Sequence, residues 1–256
     1  MMQLPAAFRT TPIAHRALHD IVAGRPENSL SAVRAAVAAG YGIEIDLQLT
    51  KDGHPVVFHD YDLNRLTGET GPVQQRTLSE MQALTLLHGS EGPPSLPQVL
   101  DAVAGKVPLL IELKDQDGGL GPNVGPLEQE TAQLLVGYAG PVAVMSFNPH
   151  SVAKMQEFAP ATPRGLTTEH FPAEDWQLVP EATRTRLRDI PDFDRTGSCF
   201  ISHDVNDLTN PRVTELKAAG VPILCWTVKS ESQETEARRI ADNITFENYR
   251  ATLPSD

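Results

Sequence analysis

The sequence predicts an α/β chain of the (β/α)8 barrel type, a TIM barrel. Three observations point there. Eight short strand-like runs recur at residues 12–15, 42–49, 108–114, 142–147, 164–168, 199–203, 223–228 and 243–246. Most are followed by a helical segment, the alternation that builds a parallel sheet with helices outside it. The length, 256 residues, suits such a barrel. An open doubly wound sheet is the alternative, but no G-x-G-x-x-G turn follows the first strand. The reading is one barrel domain over residues 1–256 with a small insertion, about 51–95, after the second strand.

The elements have local reasons. In "PENSLSAVRAAVAAG", Asn28 and Ser29 start a helix of Ala-rich formers that Gly40 stops. "TLSEMQALTLL" opens with a capping box from Thr77 to Glu80. "NPRVTELKAAG" has Asn210 as cap, Pro211 in the first turn and Gly220 as terminator. Within the insertion, the Asp52-Gly53 pair is a hairpin turn signal. The glycines of "DQDGGLGPNVGP" fit no phosphate-loop pattern and read as a loop.

Composition narrows the function. With 21 basic and 33 acidic residues the net charge is −12, which gives no electrostatic reason to bind nucleic acid or an anionic membrane. An anionic substrate would need local cations or a bound metal. Cys199 and Cys225 fall in apolar runs and read as small buried hydrophobes, with neither disulfide framework nor zinc spacing. No leader segment and no run of about 18 apolar residues is seen, so the expectation is a cytoplasmic protein without stable membrane insertion.

Polar residues gather where barrel strands end, the face on which such folds build active sites. The second strand carries Glu44, Asp46 and Gln48 on one face and Ile43, Ile45, Leu47 and Leu49 on the other. That pattern alone also describes an ordinary strand with a wet face. Glu112 and Lys114 at the matching place on the next barrel strand favour a cation pocket. Side chains two apart on a strand stand about 6.5–7 Å apart at their bases, close enough to converge on one cation at roughly 2.0–2.6 Å. An all-oxygen set favours Mg²⁺ or Ca²⁺ over zinc. His15, beside Arg16, and His59, beside Asp60, supply the pair that acid/base chemistry needs. His203 closes a later strand and Trp226 sits on the seventh. His19, His54, His88, His150 and His170 lie in turn-like or loop-like contexts, where a solvated surface role is expected.

Taken in order, "HR", "PENS", "GIEIDLQLTKDGHPVVFHD" and "IELK" resemble the glycerophosphodiester phosphodiesterases over residues 13 to 114. "MSFNP" and "CWTV" look like later motifs of the same family. The resemblance implies metal-dependent hydrolysis of glycerophosphodiesters to sn-glycerol 3-phosphate and an alcohol, with one divalent cation, Mg²⁺ or Ca²⁺. It implies Glu44, Asp46 and Glu112 as cation ligands and His15 and His59 as the acid/base pair. Arg16 and Lys114 would hold the phosphate, and Trp226 would line the site. Ala17 stands where the family usually has Gly, the stretch between "HR" and "PEN" is longer than usual, and "ITFEN" replaces the family's "ITD-x-P". These departures leave the alcohol open. A lysophospholipase D-like activity and a non-catalytic barrel that binds phosphorylated ligands are the alternatives. The second has no need of both histidines. A sugar-phosphate isomerase on the same fold is poorly served by three clustered carboxylates.

Overall fold

The apolar runs pair edge to edge into a closed ring. The computed structural model describes residues 2–254. Its strands are β1 (Ile13–Ala14), β2 (Gly42–Leu49), β3 (Pro55–Val57), β4 (Leu109–Leu113), β5 (Val142–Ser146), β6 (Arg164–Thr168), β7 (Phe200–Asp204), β8 (Ile223–Val228) and β9 (Asn243–Phe246). All but β3 run parallel in chain order, and β1 pairs with both β2 and β9 to close the barrel. Helices between the strands pack outside. The eight expected strands are these eight, with ends shifted by at most two residues. β3 returns antiparallel on β2, with Leu47 opposite Val57, so the Asp52-Gly53 turn does close a hairpin.

Alternation sorts the core. The outward residues Ile43, Ile45, Leu47, Leu109, Ile111, Leu113 and Val144 pack against Ala32, Val33, Ala36, Val99 and Val103 of the covering helices. Full burial of one such aliphatic is worth roughly 1.5–3 kcal/mol. Ser29 caps the helix Leu30–Ala39 by accepting from Ala32 N–H, and Gly40 ends it at φ 80°. The expected capping box of Thr77 and Glu80 is present. That helix stops at Ala83, because Leu84 turns to an extended conformation and packs with Leu86 and Met81 in the insertion's own small cluster. Among the described residues no helix is long and apolar enough to cross a membrane.

Inside the ring, one end is apolar. Leu4 and Phe8 from the N-terminal segment plug it beside Ile13, Leu110, Ala143, Met145, Phe200 and Leu224. Asn243 on β9 donates to the carbonyls of Phe8 and Thr11, which fixes the plug. With that end filled, the polar inward residues collect at the strands' C-terminal end. Gly165 on β6 lies opposite Phe200 on β7. A Cβ there would stand 2.6 Å from both the Phe200 carbonyl oxygen and its ring. Gly165→Ala should therefore destabilise the barrel by about 1–3 kcal/mol, read as a lower urea midpoint with an unchanged slope.

Candidate active site

The parallel register of β2 and β4 sets Asp46 beside Glu112. One oxygen from each of Glu44, Asp46 and Glu112 lies within 4.8 Å of the others. Glu44 and Asp46 are each only 2% exposed, so the strand has no wet face. Three buried carboxylates oppose one another's ionisation. Burial, then the charges of Asp46 and Glu112, push the Glu44 carboxyl well above its usual range. Burial would raise Asp46 too, but His59, Lys114 and Arg16 and a hydrogen bond from Asn28 hold it well below. All donors are oxygens, all are buried, and their charge exceeds what the flanking Lys114 and Arg16 supply. That set fits a hard divalent cation.

The cations are placed by neighbouring strand ends. Lys114 follows β4, and its Nζ donates to Glu112 at 2.8 Å and stands 3.6 Å from Asp46. Arg16 follows β1 at φ 50°, and Ala17 continues at φ 64°. This left-handed pair turns the Arg16 N–H onto the Glu44 carboxylate at 2.8 Å. The turn would suit the glycine that the family usually has where Ala17 stands, since a Cβ disfavours that conformation. Arg16 Nη1 pairs with Glu27 at 2.8 Å, while its buried Nε makes no hydrogen bond among the described residues.

Each of the two histidines is held by a carboxylate on Nδ1. His15 bonds Glu247 at 2.8 Å, and His59 bonds Asp60 at 2.7 Å. Such a bond fixes the ring and assigns the neutral ring's proton to Nδ1, leaving Nε2 for chemistry. Lys114 Nζ lies 3.3 Å from His59 Nε2. Gln48, the third inward polar residue of β2, donates to the carbonyls of His59 and Asp60 and so ties the loop after β3 to the barrel. Burial, opposed by the bond to Glu247, lowers the His15 pKa.

These groups surround one cavity of about 310 Å³ that takes in His15, Arg16, Glu44, Asp46, His59, Glu112, Lys114 and Trp226. The match to known proteins agrees. The model of the glycerophosphoryl diester phosphodiesterase family matches residues 15–246. The chain belongs to that family. Its members are phosphoric diester hydrolases. A glycerophosphodiester phosphodiesterase of Caldanaerobacter subterraneus is 32% identical over 248 residues, covering 93% of each chain. An Oleispira antarctica phosphodiesterase, solved with the product sn-glycerol-3-phosphate, superposes with TM-score 0.75 at 24% identity over 94% of each chain. A Parabacteroides distasonis glycerophosphodiester phosphodiesterase gives TM-score 0.74 at 23% identity over 93% of this chain and 92% of its own. At these identities the solved structures speak for the fold.

All eight residues that the family motifs pick out line the cavity. His203 does not. It is fully buried on the outward parity of β7, bonded to Thr168 at 2.8 Å and to Asp207 at 3.1 Å, and it ties β6 to the turn after β7. His19 is not a free surface histidine: its Nε2 lies 3.7 Å from Glu247. Asn28 does more than start a helix, since its side chain donates to Asp46 at 2.9 Å. Cys199 is half-buried and stands just before β7, whereas Cys225 is buried as expected. Sequence reasoning missed Glu247, whose one signal is the departure from the family's "ITD-x-P". It also missed the ion-pair chain from His59 through Asp60, Arg65 and Glu27 to Arg16.

Arg65 is the hinge of that chain, bonding Asp60 at 2.6 Å and Glu27 at 2.8 Å. Burial works against the charged forms of Glu27 and Asp60, yet both carboxyls lie below their usual range. For Asp60 the bonds from His59 and Arg65 outweigh burial, and for Glu27 those from Arg65 and Arg16 do. A depressed carboxyl stabilises the fold above its unfolded pKa, about 4, and loses that contribution as pH falls through the folded value. Arg65→Met should thus melt below the parent protein at pH 7, with the gap narrowing as pH drops below about 4. Thermal melts from pH 7 to pH 2.5 read this directly, and a gap independent of pH would contradict it.

Proposed function

We propose that the protein hydrolyses glycerophosphodiesters to sn-glycerol 3-phosphate and a free alcohol, by histidine acid/base catalysis at a divalent-cation site. One observation carries the reading. Three buried carboxylates, two carboxylate-held histidines and two cationic side chains face one cavity. Glu44, Asp46 and Glu112 would hold Mg²⁺ or Ca²⁺. When bound, the cation supplies positive charge to the phosphate oxygens and stabilises the charge that develops in the transition state.

The chain's own groups do the rest. Arg16 and Lys114 draw the diester anion in and hold its oxygens, against a global charge of −12. One histidine takes the proton of the attacking water, or of the substrate's own 2-hydroxyl. Burial favours the neutral form of His15, which suits the proton acceptor. His59, entering this step doubly protonated, then gives its Nε2 proton to the alkoxide as the phosphorus–oxygen bond to the alcohol breaks. Asp60 and Glu247 keep both rings aimed throughout. Trp226 donates its indole N–H to the Ser202 carbonyl at 3.0 Å, which fixes it as a wall of the cavity.

A second reading is release of a headgroup from lysophospholipids. It is favoured by Ile21 and Val22, which are 57% and 96% exposed on the segment after β1. They border a hollow that shares Glu247 with the catalytic cavity.

The test is a coupled assay for glycerol 3-phosphate, with glycerophosphocholine as substrate and metal-stripped protein. Activity should return with Mg²⁺ or Ca²⁺ and vanish with EDTA. His15→Ala and His59→Ala should each lose roughly 10²–10⁴-fold in kcat. Glu112→Gln should need far more metal for half-activation, and excess metal should restore part of its rate. Choline released from lysophosphatidylcholine faster than from glycerophosphocholine would favour the second reading instead.

A further inference from the structure

A second cavity, about 420 Å³, opens beside the catalytic one. The two share His59, Glu112, Lys114, Phe147 and Trp226, so a substrate whose phosphate rests at Lys114 reaches directly into it. Its own walls are of a different chemistry. Tyr61, Phe147, Trp176 and Trp226 line it, together with the carboxylates of Glu169 and Asp175. Phe147 packs against Trp176 with ring centroids 5.0 Å apart and against Trp226 at 5.4 Å. Behind them, Leu120, Phe171, Val179 and Leu187 form a buried cluster that holds Phe147 and Trp176 in place. The aromatic walls are therefore set before any ligand arrives.

Glu169 gives this cavity its charge. The residue is 8% exposed. One of its carboxylate oxygens accepts from the Trp176 indole N–H, and the other has no hydrogen-bond partner among the described residues. No cation faces it. The positive groups that line the cavity, Lys114 and His59, sit at the phosphate end, and Lys114 is engaged by Glu112. Burial raises the Glu169 carboxyl to about 7, further than the indole bond can offset. A ligand cation beside it would restore the charged form.

We propose that this cavity seats the leaving alcohol and selects alcohols that carry an ammonium group, quaternary ones above all. The proposal rests on the phosphodiesterase reading. Aromatic faces attract a desolvated cation through their quadrupole, and a buried carboxylate supplies the opposite charge. A neutral polyol would gain no such attraction from the rings. An anionic alcohol would meet Glu169 and Asp175. The glycerol arm is left the polar side of the catalytic cavity, where Thr227, Lys229 and Thr245 stand.

The sequence has only two tryptophans, and both line this cavity, so intrinsic fluorescence reports on it directly. Tetramethylammonium should quench or shift that fluorescence saturably, and 3,3-dimethylbutan-1-ol, a neutral isostere of choline, should bind at least tenfold more weakly. In turnover, kcat/KM for glycerophosphocholine should exceed that for glycerophosphoglycerol by about tenfold or more. Glu169→Gln and Trp176→Ala should each narrow this ratio by about tenfold, through KM rather than kcat. Equal kcat/KM for the two diesters in the parent protein would overturn the proposal, as would variants that slow both diesters alike. If neither diester is turned over, the phosphodiesterase reading falls. Tetramethylammonium binding that Glu169→Gln weakens would then still uphold the ammonium seat, and its absence would overturn that too.

Discussion

Everything at the functional end of this barrel answers to one electrostatic constraint: three carboxylates share a buried space less than 5 Å across. Like charges so close and so poorly hydrated cannot all stay ionised without compensation. Glu44 and Asp46 show the two possible responses. The first is pushed toward its neutral form, and the second is held ionised by His59, Lys114 and Arg16. A divalent cation would complete the balance that Lys114 and Arg16 leave short. The same excess negative charge that makes the cluster unfavourable by itself suits it to a hard cation.

Compensation reaches outward from there. Arg16 pairs with Glu27, Glu27 with Arg65, Arg65 with Asp60, and Asp60 with His59. The chain ties the end of β1, the loop before the helix Leu30–Ala39 and the loop after β3 into one charged girdle. Few of its links are fully buried, so each pair alone contributes little stability. Their joint effect is geometric: they hold the His59 ring and the Arg16 guanidinium in register across separate elements. Glu247 does the same for His15 from the far side of the barrel's closure, between β9 and β1.

A neighbouring cavity lined by aromatic rings and by Glu169 and Asp175 adjoins the cavity that holds these charges. The division follows from where each wall comes from. The charged cavity is built largely at the ends of β1, β2 and β4, where the parallel register sets Asp46 beside Glu112. At the aromatic end, Phe147, Glu169 and Trp176 come from the loops after β5 and β6, backed by a separate hydrophobic cluster, while Trp226 on β8 lines both cavities.

The alternation of Glu44, Ile45, Asp46 and Leu47 determined, from sequence alone, which residues of β2 share a face, because strand side chains have a period of two. Helix caps such as Thr77 with Glu80 were equally local, and so equally plain. The motif residues from His15 to Lys114 named the family and its cavity, because their order and spacing are tied to particular strand ends. What the sequence left open was whether a face points into the ring or out of it, and which distant residues meet. His203 looks like a strand-end site residue until the barrel's closure puts it on the outward side of β7. Glu247 lies 232 residues from His15 and reaches it only because β9 closes against β1. Trp176 and Glu169 carry no motif, and their place beside Lys114 exists only once the loops fold over the barrel mouth. Local periodicity and caps are written in neighbouring residues, whereas inward parity and the meeting of loops are properties of the closed ring.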